Sequence, residues 1–293
     1  MRPSLPFRAA LWITLLSAGA LPLGVDASAP DVDASAPGDD AGARDLRSLT
    51  PSALLAPRDS EFQLFHNLYT QTDFFDADGE RTDQGGRSTY YTAILSTKRG
   101  WTSRVNLGLD VLVKSVWDDR FADGRDSRTA VTAVVPNVVL SPAPSLDRLA
   151  IETGVSIPTA SDLDGADGRP FLDEGDVAWL VSVYCDVPLA ERVLAYLQAG
   201  SMTRFADDGT QLTTPLLAFL NFYASDRWTI TAPLEASIRW VSGGSEDWYT
   251  QVGVGAKFLV SPSVELETIA TVFPAGRNTG AGRTINLGVR LLR

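Results

Sequence analysis

Arg104-Val-Asn-Leu-Gly-Leu-Asp-Val-Leu-Val-Lys114 is the stretch that decides the fold. One face carries Val105, Leu107, Leu109, Val111 and Val113. The other carries Arg104, Asn106, Gly108, Asp110 and Lys114, interrupted only by Leu112. A period of two places successive side chains on opposite faces of a strand, so this segment reads as a strand with one apolar and one polar side. Trp228–Trp240 repeats the pattern. Ile230, Ala232, Leu234, Ala236 and Ile238 alternate there with Thr229, Thr231, Glu235, Ser237 and Arg239.

Working outward, the same period appears at Leu149–Ile157, Val177–Val187, Trp248–Val260, Val264–Val272 and Ile285–Leu291. Less regular segments lie at Glu61–Thr72, Thr89–Thr97, Ala130–Leu140, Val193–Met202 and Leu212–Tyr223. Pro136 and Pro215 disturb two of these, because proline cannot donate to a ladder. The total is twelve strands, an even number. The connections fall into two alternating kinds. Asp73–Ser88, Trp117–Thr129, Pro158–Asp176, Thr203–Gln211, Val241–Asp247 and Pro274–Arg283 are long and polar. Those between them, such as Lys98–Trp101, Pro188–Arg192 and Ser261–Ser263, are tight. An all-β, up-and-down antiparallel transmembrane barrel of about 12 strands sorts its connections this way, with long loops outside and short periplasmic turns.

The apolar rows of the regular strands hold no Asp, Glu, Lys or Arg. An Arg or Lys facing lipid at mid-bilayer costs about 2–4 kcal/mol. Trp101 and Trp228 fall near one end of their strands, and Trp117, Trp179, Trp240 and Trp248 near the other, as two interfacial girdles. Ahead of the strands, Arg2 and Arg8, the apolar run Ala9–Ala20 and the small-residue sites Ala18-Gly-Ala20 and Ala27-Ser-Ala29 read as a secretory signal peptide over residues 1–29. Residues 30–58 are rich in Ala, Asp, Ser and Pro and read as a flexible arm; Leu46, Leu49, Leu54 and Leu55 give it the means to act as a plug. Residues 59–293 form the barrel, and the expected location is the outer membrane of a Gram-negative-type bacterium.

The chain has 293 residues, 36 acidic and 25 basic, for a net charge of −11. That balance excludes nucleic acid as a partner. One Cys and one His exclude a disulfide framework and any metal site built on several imidazoles or thiolates. The polar faces would line a pore with Arg104, Asp110, Lys114, Glu152, Glu235, Arg239, Lys257, Glu265, Glu267 and Arg290, five of each sign. They read either as a self-compensating lumen or as a path for a small solute. The polar connections hold 19 acidic and 9 basic residues, so one rim carries a net −10. Within it, Asp76-Ala-Asp-Gly-Glu80 and Asp162-Leu-Asp164-Gly-Ala-Asp167-Gly168 space carboxylates around glycines as a calcium loop does, without the closing Glu. Asp162, Asp164 and Asp167 are the metal candidates; no other cofactor is expected. His66 is the one imidazole available for catalysis. Its parity points it toward lipid, and a hydrolase would need Ser88 or Ser96 within reach. Cys185 sits in an apolar row and reads as a small hydrophobe.

Gly154-Val-Ser-Ile-Pro-Thr-Ala160, followed by an acidic loop and Gly175-Asp176, resembles the outer-membrane barrel family named for the MetA pathway of phenol degradation. The C-terminal stretch Asn278–Arg293 resembles related barrels. The resemblance implies a porin-like or transporter-like role, with small hydrophobic or aromatic compounds as solutes. The expected function is thus a monomeric outer-membrane channel for a small solute, not an enzyme, surrounded by lipid and lipopolysaccharide. The alternatives are a non-conducting structural or adhesive barrel with acidic, calcium-binding loops, and a lipid-modifying barrel enzyme using His66.

Overall fold

A computed structural model describes residues 52–121, 126–143, 146, 148–165, 168–206, 209–241 and 246–293. All twelve expected segments are strands. In chain order they are β1 (Ser60–Phe75), β2 (Arg81–Thr102), β3 (Val105–Asp118), β4 (Ser127–Leu140), β5 (Leu149–Pro158), β6 (Val177–Ala190) and β7 (Val193–Ala206). There follow β8 (Gly209–Tyr223), β9 (Trp228–Val241), β10 (Glu246–Ser261), β11 (Val264–Arg277), the two-residue β12 (Thr279–Gly280) and β13 (Arg283–Leu292). Each long strand pairs antiparallel with its chain neighbours, β11 passing to β13. β1 pairs with both β2 and β13, so the sheet closes on itself as a barrel of twelve long strands. Closure gives every ladder group a partner without water, which a span through hydrocarbon requires.

The strands run further than their alternation does. Expected loop residues 81–88 belong to β2, and the first connection shrinks to residues 76–80. β3, β7 and β11 likewise extend to Asp118, Ala206 and Arg277. Above the lipid both faces of a strand meet polar surroundings, so the hydrogen-bond ladder continues after the hydrophobic period has stopped. Among the described connections on that rim, the β5–β6 segment, residues 159–176, remains long.

The apolar rows face out. Leu107, Leu109, Val155, Ile157, Ile230 and Leu234 are exposed, Leu234 by 53%. So continuous an exposed apolar belt marks a lipid-facing surface. Trp101, Trp117, Trp179, Trp228 and Trp240 are exposed at strand ends. Residues 52–58 lie against the barrel's turn-side opening, here the periplasmic mouth. The signal peptide, Leu46, Leu49 and the rest of the arm lie outside the described residues.

Candidate functional site

Inward side chains enclose a cavity of about 420 Å3, within the size range of small-molecule sites. Much of its wall is apolar, with Ile94, Leu112, Val135, Leu180, Met202 and Phe219 among the lining residues. Strand parity puts them there: each stands at an even step from a polar inward residue of its own strand or from the strand's other lining residues.

The charges on the wall fall into paired groups. Toward the periplasmic mouth, Arg290 bonds Glu61 at 2.6 Å and approaches Glu265 at 3.9 Å. Lys257 pairs with Glu267 at 2.7 Å, and Lys98 with Glu152 at 3.2 Å. Glu152 also accepts from the Tyr184 hydroxyl, and Asp110 from Ser96 and Asn137. Toward the extracellular mouth, Lys114 pairs with Asp173 at 2.8 Å. Glu174 lies 3.6 Å from both Arg204 and Arg239, and Arg239 is also bonded to Asp247. Glu235 accepts from the Tyr249 hydroxyl at 2.7 Å. Buried charges of this kind persist only when paired, and here nearly every one is.

Asp173 and Glu174 come from the β5–β6 loop, which folds into the barrel mouth. Leu163 and Leu172 of that loop join a buried cluster with Tyr69, Tyr90, Tyr249 and Phe273. Burial works to raise the Asp173 carboxyl, but the Lys114 ammonium, the Glu174 amide and Arg204 outweigh it and hold Asp173 below its ordinary value. Burial wins at Glu174, which is raised although Arg204 and Arg239 oppose the shift.

The opposite mouth is filled in the same way. Leu54 packs on the buried cluster of Tyr184, Tyr196, Val139 and Ala150, with Phe219 alongside. Leu55 packs on Leu259, and the Ser52 hydroxyl bonds Asp186. The Arg58 amide donates to Gly100 O at 2.9 Å, and the Gly100 amide to Asp59 O at 3.0 Å. A Cβ on Gly100 would lie 2.0 Å from Ala56 O, so only glycine admits this approach.

Of the expected pore residues, Asp110, Lys114, Glu152 and Glu235 line the cavity, as do Lys257, Glu265, Glu267 and Arg290. Arg239 stands at its upper edge through Glu174 and Asp247. Arg104 does not belong to it: on the exposed β2–β3 turn its guanidinium bonds Ser141 O at 3.1 Å and Pro142 O at 2.8 Å. The turn starts before the parity rule applies to it. Glu61, Lys98, Asp173, Glu174 and Arg204 were not expected on the inner wall. Lys98 and Arg204 fall where alternation breaks, and the two acids sit in a loop whose polarity suggests solvent. An inward parity count carried past the strand ends would have found Lys98 and Arg204.

His66 faces outward and stacks on Tyr91, its Nδ1 2.5 Å from the Tyr91 hydroxyl. Ser88 and Ser96 point inward, Ser96 onto Asp110. Asp162, at φ 58°, and Asp164 lie in the β5–β6 loop, while Asp167 is outside the described residues. Among the described residues no three metal-binding side chains converge.

No family model and no curated protein sequence matches the chain. Solved structures do. The COG4313 outer membrane channel from Pseudomonas putida F1 superposes with a TM-score of 0.69 at 12% identity, over 83% of this chain and 98% of that one. The β domain of the Bordetella autotransporter BrkA gives 0.53 at 14% identity, over 80% and 99%. Such identities speak for the fold. The chain is therefore an outer-membrane β-barrel, built on the fold of the COG4313 channel.

Proposed function

We propose that the chain is a channel that passes small, largely apolar solutes, aromatic ones among them, across the outer membrane. The observation that carries this reading is a lumen whose exposed wall is mostly apolar and whose charges are largely paired with one another. A lumen built to move ions or sugars would present unpaired charges or a continuous polar ladder along its wall. Here most charges are paired, and the wall a solute meets presents Ile94, Leu112, Leu180 and Phe219 beside uncharged polar groups such as Asn67 and Ser182. Permeation then requires the β5–β6 loop above and residues 52–58 below to move aside; the loop is held by ion pairs at Asp173 and Glu174 and by the burial of Leu163 and Leu172. One chain suffices, because β1 closes on β13 and leaves no free edge.

Uptake into liposomes containing the purified barrel tests this. Benzyl alcohol is expected to enter faster than a pentose after subtraction of protein-free leak, and Phe219→Asp is expected to narrow the difference. Equal rates for both solutes would contradict an apolar path. Protein-dependent entry of neither would favour the second reading, a closed structural barrel, which the filling of both mouths supports.

A further inference from the structure

The barrel wall has a second cavity of about 340 Å3, lined by Thr70, Thr72, Arg81, Arg87, Val272 and Arg283 and floored by lumen-side Gln71 and Phe273. It exists because two ladders break at the same height. β1 and β13 pair as far as Thr70↔Arg283, and β1 resumes with β12 only at Phe74↔Gly280. Across the gap the wall is held by Ala281 N–H to Asp73 O at 3.0 Å and Phe273 N–H to Gly282 O at 3.2 Å. On the other side, β1 pairs Gln71 with Ser88 and then Asp73 with Asp83, so residues 84–87 leave the ladder as a bulge. The bulge carries Arg87 to the cavity mouth.

The cavity opens on the lipid side. Leu68, Val272 and Ile285 are exposed by 42%, 52% and 54%, and Arg283 lies two residues above Ile285 in the same outward row. Thr70 and Thr89, neighbours in the next strands, sit with hydroxyls 3.3 Å apart. Threonines and arginines thus replace leucine and isoleucine where the apolar belt ends, on the side away from the periplasmic mouth. That is the level of the outer-leaflet headgroups. Arg81 is held by Asp73 at 2.6 Å. Among the described residues Arg87 and Arg283 have no carboxylate within ion-pair reach. Three guanidiniums around one hollow are unexpected on a rim that, with these three included, carries a net −10.

We propose that this cavity binds a phosphate of a phosphorylated glycolipid of the outer leaflet, its acyl chains lying on the Val272 and Ile285 shelf. The guanidinium forks of Arg87 and Arg283 suit phosphate oxygens bidentately, and Thr70 and Thr72 supply hydroxyl donors. A soluble anion would gain nothing from the apolar shelf; an acylated phosphate uses both.

Native mass spectrometry of the full chain in detergent, with bis-phosphorylated lipid A as probe, tests the site. The wild type is expected to retain the adduct, and Arg87→Gln/Arg283→Gln to weaken it about tenfold or more. Dephosphorylated lipid A is expected to bind both proteins weakly and alike. Heat-modifiable migration on gels reports folding. Should the double variant not fold, Arg87→Gln alone, on the exposed bulge, is expected to lose a smaller but measurable part of the adduct. Equal adducts in wild type and folded variants would overturn the proposal, as would equal retention of the dephosphorylated lipid. Displacement of the lipid by equimolar inorganic phosphate would also overturn it, by making this a site for free anions.

Discussion

Asp173 and Glu174 are adjacent, yet the loop that carries them responds to acid through each with opposite sign. Asp173 is held below its ordinary value when the loop is docked, so its contribution to docking is complete above the ordinary carboxylate range. It is lost as pH falls through the lowered value. Glu174 is raised by burial, so its docked form takes up a proton more readily than a released loop would. Acidification toward the ordinary carboxylate range therefore tightens the loop through Glu174. Single-channel recordings are expected to show no opening between about pH 7 and pH 5, and increased open probability only below about pH 4. Opening already at the milder pH would contradict the Asp173 clamp. Asp173→Asn is expected to raise open probability at neutral pH, because it leaves the Lys114 ammonium buried without its partner, at about 3–5 kcal/mol. Adding Lys114→Gln removes that uncompensated charge and is expected to restore docking in part. None of this could be read from the loop's composition. A run of acids and glycines looks solvated until the Lys114 and Arg204 that receive it are known to share a lumen.

Whole strands show what proline does to the ladder and what it leaves intact. The β4–β5 pairing breaks between Val134↔Ile157 and Asn137↔Gly154, around Pro136. The β7–β8 pairing breaks between Ala199↔Leu216 and Met202↔Thr213, around Pro215. Pro233 sits in the corresponding gap between β9 and β10. In each case the missing N–H removes a rung, while the strand still pairs on its other edge. The period of two therefore survived in the sequence although local pairing did not. The N-terminal segment is the opposite case: it has no period, and its place depends on contacts with distant strands. Gly100→Val is expected to expel residues 52–58 from the periplasmic mouth, since Ala56 O occupies the space of the new side chain. Deleting residues 52–57 is expected to do the same. Both changes are expected to increase conductance while the barrel still migrates as folded on gels. An unchanged conductance in both would show that the constriction lies elsewhere.

At the scale of the whole molecule, stability depends on an unbroken apolar exterior. Leu234 sits mid-strand in β9 and is exposed by 53%. Leu234→Arg is expected to destabilise the barrel by about 2–4 kcal/mol in denaturant titrations from lipid vesicles. The same substitution at Leu212, near the extracellular end of β8, is expected to cost about 0–1 kcal/mol, because arginine there reaches the interface. Equal costs at the two positions would argue against a bilayer around this belt.

The twelve strands, their inward and outward faces and the aromatic ends were all determined by local alternation, because a residue's face in a strand depends only on parity. Even His66 and Cys185, in poorly patterned or apolar rows, could be placed outward by that rule. Closure was implied once every strand proved amphipathic, since an open edge has no partner in lipid. Only the tertiary structure decided which inward charges meet, that Arg104 lies outside the lumen, and that segments from both sides fill the mouths. It alone also brought Arg87 and Arg283 around one hollow. These facts depend on register between strands and on contacts such as Glu61–Arg290, 229 positions apart, and no periodicity along the chain encodes them.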